Sequence, residues 1–250
     1  MKVLISDLDG TIYRGKDVAS NDLKALKDFT NSNMLVIATG RNENTFSFFT
    51  NQFDIGYAYV ILCNGSLIQN NQSQTIIKHS FDQIDVAAKI FDIIDQYQDH
   101  LSITLSFEAG TLYIPRYNST LSKHINANLN YDVIGICIEV TDRRMDIVEE
   151  IYNQLIKIAA FHVERNNQYI DILPSGVSKK NAIKELIRQL DIDENDVYVI
   201  GDSYNDLSMF EINDHSFIIE SDNEDLNKQA TYVVSSIAEC INLIDDENIN

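Results

Sequence analysis

The chain reads as an α/β protein: a doubly wound parallel sheet interrupted by an inserted α+β domain. Three observations predict this. First, short continuous apolar runs end at once in small or polar residues: Val3-Leu4-Ile5 into Ser6-Asp7, Leu35-Val36-Ile37-Ala38 into Thr39-Gly40, and Val197-Tyr198-Val199-Ile200 into Gly201-Asp202. Strands buried on both faces have this unbroken apolar pattern, as in a parallel sheet covered by helices. Second, helical stripes lie between and after these runs, and strand-helix alternation builds a doubly wound, Rossmann-like sheet. Third, the middle of the chain changes to alternating strands with helices of their own. The expected division is a core of residues 1–80 and 175–250, with an α+β insertion of residues 81–174.

In chain order, Leu23, Leu26 and Phe29 predict a helix capped by Ser20. The Asn/Gln-rich stretch Gln69 to Gln74 predicts a loop. Ile84, Ala88, Phe91 and Ile94 share a helical face. Ser102 to Phe107 and Thr111 to Ile114 read as a hairpin around Glu108-Ala109-Gly110. Ile134, Ile136, Ile138 and Val140 alternate with smaller or polar residues, as in a half-buried strand. Met145 to Leu155 reads as a second helix. Ala160 to Val163 and Tyr169 to Leu173 complete an antiparallel sheet. Back in the core, Ile183, Leu186, Ile187 and Leu190 form an apolar stripe at helical spacing, on a helix placed at Ala182 to Leu190. The acidic tail from Asp245 is expected to fray.

Composition narrows the classes of function. A length of 250 residues with 44% hydrophobic and 23% charged residues fits a globular chain with room for one large domain carrying an insertion. The net charge of −19, with no basic run, argues against nucleic acid and anionic membrane as partners. A site for an anionic substrate therefore needs cations of its own. Cys63, Cys137 and Cys240 are odd in number and too widely spaced for a metal or redox pair, as expected of ordinary thiols in a reducing compartment. The apolar start is too short for a signal peptide, and no run approaches the ~18 apolar residues of a membrane span. A cytoplasmic location is the expectation.

The chemistry-bearing residues cluster at the predicted strand ends, where doubly wound sheets bind ligands. Asp7-Leu8-Asp9-Gly10-Thr11 sets two carboxylates at i and i+2 just past a strand, where they can surround one ion; its plainer reading is an Asp-Gly turn. Gly201-Asp202-Ser203-Tyr204-Asn205-Asp206 offers further carboxylates, or alone a capped loop. Thr39-Gly40-Arg41 offers a hydroxyl and backbone N–H groups at a helix start, a phosphate-binding position or a plain cap. Lys179 stands just ahead of a helix and, taken singly, reads as a surface lysine.

In order and spacing, Asp7 to Thr11, Thr39 to Arg41, Gly176-Val177-Ser178-Lys179 and Gly201 to Asp206 resemble the four motifs of the haloacid dehalogenase (HAD) superfamily. The placement of the insertion is similar to the Cof-type phosphatases with a large α/β cap (type IIB). The resemblance spans the whole chain. It implies a Mg²⁺-dependent phosphatase acting on small phosphorylated metabolites, sugar phosphates or phosphorylated cofactors, through an aspartyl-phosphate, with no obligatory protein partner. It makes Asp7 the nucleophile and Asp9 the acid and base. Thr39, with Gly40, would hold the phosphoryl group, Lys179 would neutralise charge, and Asn205 would contact phosphoryl oxygens. Asp206 would support the site from behind. Mg²⁺ would be held by Asp7, Asp202 and the backbone carbonyl of Asp9, and Asn64-Gly65 would lie at the cap entrance.

The chain departs from the family pattern in having Lys180 where glycine usually follows the motif lysine, and in the glycine-free segment Asp214 to Glu220. The rival readings are a phosphomutase using the same aspartate and a catalytically silent small-molecule binder. Other candidates carry less. Arg143-Arg144 offers a site for a second anionic group. Glu108, Tyr113, Arg116, His162 and Arg165 are candidate cap contacts, and Tyr204 a candidate pocket border. His79, His100, His124, His162 and His215 share no ligand spacing.

Overall fold

The structure, a computed structural model, describes residues 1–81, 84–118, 120 and 132–246. His124 and the end of the acidic tail lie outside them. The three apolar runs form β1 (Val3–Ser6), β2 (Met34–Ala38) and β11 (Val197–Gly201). With β3 (Tyr59–Leu62), β4 (Leu67–Asn70), β5 (Thr75–Lys78), β12 (Ser216–Ile219) and β13 (Tyr232–Val234) they make an eight-stranded sheet of order β13-β12-β11-β1-β2-β3-β4-β5. It is parallel from β13 to β3, and β4 and β5 add an antiparallel hairpin at one edge. The central strands bury both faces. Leu4, Leu35 and Ile37 pack against α1 (Ser20–Phe29), α2 (Glu43–Thr50) and α6 (Ile237–Asp245), while Val3, Ile5 and Val36 pack against α5 (Lys179–Gln189). That is the doubly wound arrangement expected of continuous apolar runs.

The second sheet is antiparallel and five-stranded, of order β7-β6-β8-β10-β9: β6 (Leu101–Phe107), β7 (Gly110–Ile114), β8 (Val133–Val140), β9 (Phe161–Asn166) and β10 (Tyr169–Pro174). One face is apolar. There Ile103, Leu105, Ile138, Ile170 and Ile172 pack against α3 (Ile84–Ile94) and α4 (Met145–Leu155) through Phe91, Ile94, Val148 and Ile151. The other face carries Thr104, Ser106, Cys137 and Asp171 and looks into a cleft shared with the first sheet.

Three local expectations are corrected. Gln69 and Asn70 belong to β4 rather than to a loop, and Gln69 is buried. The polar residues there are spent on the turn itself. The Asn70 side chain accepts from the backbone N–H of Gln72 (2.9 Å) and of Gln74 (3.0 Å), and Ser73 takes φ 58°. Ser20 is the first residue of α1; Ala19 stands at the cap and the cap carries no side-chain hydrogen bond. The helix placed at Ala182 begins three residues earlier, at Lys179, because the Ser178 side chain accepts from the Asn181 N–H and caps it there. Among the described residues no helix is long and apolar enough to cross a membrane.

Candidate active site

Four neighbouring parallel strands deliver the motif residues to one edge. Asp7 follows β1, Thr39 follows β2, Asp202 follows β11, and Asn64 stands two residues after β3. The Asp7 N–H donates to the Ile200 carbonyl (2.9 Å), which extends the β1–β11 ladder to the first carboxylate. Asp7 is 4% exposed and Lys179 fully buried. The Lys179 ammonium donates to Asp7 Oδ1 at 2.6 Å and to Asp206 Oδ1 at 2.7 Å. Asp206 in turn accepts through Oδ2 from the N–H groups of Asp202 (3.1 Å) and Ser203 (3.2 Å). The loop after β11 is thus tied to Lys179, and Lys179 to the end of β1. A buried lysine survives only with such partners.

Carboxylate oxygens of Asp7, Asp202 and Asp206 come within 4.8 Å of one another. Asp206 is spent on Lys179 and two amides, which leaves Asp7 and Asp202 facing each other with a shortage of positive charge. Burial, then the charge of Asp206, pushes the Asp7 carboxyl well above the usual carboxylate range, against the pull of Lys179. Burial and Asp206 push Asp202 up to about 6. Burial alone disfavours the Lys179 ammonium, but Asp206 and Asp7 outweigh it and hold the lysine protonated. Hard oxygen donors short of positive charge are the donor set of a divalent cation, and these residues fit one.

Asp202 is fixed by the Thr11 hydroxyl, which donates to its Oδ1 at 3.0 Å. Glycine is required at position 10: φ is +101°, and a Cβ there would lie 2.2 Å from Asp202 Oδ2. The Asp9 side chain stands apart from the three carboxylates. It is exposed at the cleft and paired with Arg41, whose Nε donates to Asp9 Oδ2 at 2.8 Å. The Arg41 guanidinium also lies over the rings of Tyr13 and Phe49, at 5.2 and 5.8 Å, contacts that favour a fixed orientation.

Thr39 is buried. Its N–H is spent on the Ile61 carbonyl (2.9 Å), so the backbone donor expected there is taken, while its Oγ1 accepts from the Arg41 N–H (3.1 Å) and keeps a hydroxyl proton to donate. Gly40 lines the cleft, where a Cβ would press on Asn64 Oδ1 at 3.0 Å. Asn64 is held at φ 50° with its Nδ2 on Asp171 Oδ2 (3.2 Å). Gly65 backs onto the start of α5: a Cβ would sit 2.6 Å from the Ser178 carbonyl. Asn205 lines the cleft and accepts from the Ser203 hydroxyl.

The cleft between the sheets has a volume of about 730 Å³ and reaches from Asp7, Asp9, Thr39 and Asn205 to the polar face of the second sheet. The polar cap residues that line it include Thr104, Ser106, Cys137, Asn166, Tyr169 and Asp171, beside the apolar Ile136 and Leu173; none of them was singled out from the sequence as a cleft residue. A signal for them existed: alternate positions on β6 and β10 face one way, so Thr104 and Ser106, like Tyr169 and Asp171, share a face opposite the buried isoleucines. Glu108 is engaged by Lys78 (2.9 Å), and Arg144 by Asp146. His162 and Arg165 line a separate, smaller cavity of about 370 Å³ together with Tyr204.

A family model for haloacid dehalogenase-like hydrolases matches residues 4–240. The chain belongs to the haloacid dehalogenase-like hydrolase family. Among its relatives is the 5-amino-6-(5-phospho-D-ribitylamino)uracil phosphatase YwtE of Bacillus subtilis, 26% identical over an alignment covering 94% of this chain and 93% of that protein. Among solved structures, the HAD subclass IIB sugar phosphatase BT4131 superposes with a TM-score of 0.79 at 20% identity, covering 100% of both chains. A haloacid dehalogenase-like hydrolase from Bacteroides thetaiotaomicron superposes with a TM-score of 0.77 at 21% identity, covering 97% of this chain and 99% of that one. At these identities the superpositions establish the fold: a parallel core carrying a large cap.

Proposed function

We propose that this chain is a phosphoric monoester hydrolase that takes phosphate from small metabolites through a phosphoryl group carried on Asp7. One observation carries the reading. Asp7, at the end of β1, is held by a fully buried lysine at 2.6 Å and opens into a cleft closed on its far side by a polar cap face. A buried carboxylate oriented by a cation and facing a closed cleft is placed to act as a nucleophile. The core of this reading is residues 1–80 and 175–250, and the cap is 81–174.

In the first step an Asp7 oxygen bonds to phosphorus and the ester P–O bond breaks. Asp9, released from Arg41 and protonated from solvent, gives that proton to the departing alcohol oxygen. In the second step the Asp9 carboxylate takes a proton from water, whose oxygen bonds to phosphorus while the Asp7–phosphorus bond breaks. Lys179 offsets charge gathering on Asp7 and the phosphoryl oxygens, and Thr39, Gly40 and Asn205 orient those oxygens. Asp206 keeps Lys179 and the Asp202 loop in register. Asp7, Asp202 and the Asp9 carbonyl would hold Mg²⁺, which would supply the positive charge that two facing carboxylates and a phosphate together lack.

A phosphorylated polyol such as the ribityl ester in the name of the Bacillus relative suits a cleft lined by hydroxyls and amides. The charge of −19 speaks against nucleic acid and anionic membrane as partners, and a small metabolite as substrate fits a cytoplasmic enzyme.

The test is phosphate release from a panel of sugar phosphates, cofactor phosphates and p-nitrophenyl phosphate, with Mg²⁺ or EDTA. The expected result is metal-dependent release, reduced at least ~10³-fold in Asp7→Asn. Release that survives EDTA or Asp7→Asn removes the reading.

A further inference from the structure

The cap wall of the cleft carries one carboxylate, Asp171, and a second, Glu164, stands beside it at the smaller cavity; this bears on which alcohol leaves. Thr104, Cys137, Asp171 and Glu164 form one row across β6, β8, β10 and β9. Thr104 pairs with Cys137, Cys137 with Asp171, and Asp171 with Glu164. Two carboxylates therefore stand directly opposite each other in register, a destabilising arrangement unless something positive faces them.

Asp171 accepts from the Asn64 amide at 3.2 Å and from the Cys137 thiol, with no cation in contact among the described residues. Lys179 acts on it only through its field, behind Asp7. The Arg41 side chain, the one cation lining the cleft among the described residues, is spent on Asp9. His162 faces Glu164 at 3.2 Å from β9 and lines the separate smaller cavity.

Two buried acceptors stand without a donor beside this row. Asn64 Oδ1 belongs to a side chain 3% exposed that lines the cleft, and its amide nitrogen is already given to Asp171. Glu164 Oε2 is the other. Buried acceptors without donors and a carboxylate with no cation in contact are costly, and the cost is met when a bound group brings the missing donors and charge.

Resting on the phosphatase reading above, we propose that the substrate's leaving group carries an ammonium group seated against Asp171 and Asn64, so that the preferred substrates are phosphate monoesters of amino sugars or amino alcohols. The hydroxyls of Thr104 and Ser106 and the Asn166 amide complete a wall suited to the rest of a polyol. A leaving group with a carboxylate or second phosphate meets repulsion from the same wall.

The experiment compares glucosamine 6-phosphate, glucose 6-phosphate and 6-phosphogluconate: the first two differ only at C2, amine against hydroxyl, and the third is the open-chain acid with its carboxylate at C1, all remote from the C6 phosphate. Wild-type kcat/KM is expected to be about tenfold higher for the amine than for glucose 6-phosphate, with 6-phosphogluconate lowest. In Asp171→Asn the amine-to-glucose ratio falls to about one. A wild-type ratio of one or below, a preference for 6-phosphogluconate, or a ratio kept in Asp171→Asn overturns the inference. Calorimetric Kd values for the three esters on Asp7→Asn read the same ratio without turnover. Turnover of p-nitrophenyl phosphate with no amine preference sinks this inference alone. If no ester is hydrolysed, the phosphatase reading falls, and the Kd ratio still decides this one.

Discussion

Asp171 shows how a single residue links stability to the cleft. Burial, eased in part by its bond from the Cys137 thiol, pushes its carboxyl up to about 6 from an ordinary 3.8. Its proton is held longer in the folded chain than in the unfolded one. Stability is therefore highest below the unfolded value and is lost as pH rises through about 6. Asn has no such titration. Between pH ~4 and ~7.5, urea unfolding of Asp171→Asn should gain about 1–2 kcal/mol on the wild type, allowing for the residue's partial exposure to the cleft. A difference that does not change with pH would place the charge of Asp171 in a solvated setting. The proposed reacting groups are legible in the sequence because each sits in a short motif: Asp7, Asp9, Thr39, Asp202 and Asp206 in segments that follow strands, and Lys179 at the start of a helix. It hid the partners. Arg41 meets Asp9 across 32 positions, and Asn64 meets Asp171 across 107. No local pattern encodes such contacts.

Secondary-structure elements were legible where burial dictates a period. Continuous apolar runs became β1, β2 and β11, and alternation became β8 and β10. The hairpin of β4 and β5 was not, because its turn spends the Asn70 side chain on the backbone N–H groups of Gln72 and Gln74 and looks like a polar loop. The start of α5 shows what an element boundary does for the site. Ser178 caps the helix, and the next residue, Lys179, enters the core fully buried. In Ser178→Ala, loss of the cap should lower stability by about 1 kcal/mol at an unchanged urea m-value. It should also lower kcat, since Lys179 loses its fixed starting point. Unchanged kcat alongside lowered stability would mean that Asp7 and Asp206 alone position the lysine.

At the scale of the molecule, a chain of net charge −19 has to admit an anion to a cleft whose cations are few and paired. The long-range field opposes approach, while the local cations act over short distances that salt screens less. Raising ionic strength from about 0.01 M to about 0.15 M should therefore raise kcat/KM for a phosphate ester about two- to threefold. A fall would mean that Arg41 and Lys179 steer the substrate from afar. The doubly wound class of the first sheet and the antiparallel character of the second follow from patterning in the sequence, while the strand order and the edge hairpin of the first do not. The mutual placement of core and cap, which makes the cleft, depends on contacts between residues far apart in the chain. The account turns on Asp7 as the carrier of phosphate. Its most direct test is peptide mass spectrometry after acid quench of enzyme turning over p-nitrophenyl phosphate with Mg²⁺. The account predicts a phosphoryl group on the Asp7 peptide, absent from Asp7→Asn. Turnover with no phosphoryl group there, or with one on another residue, would contradict it.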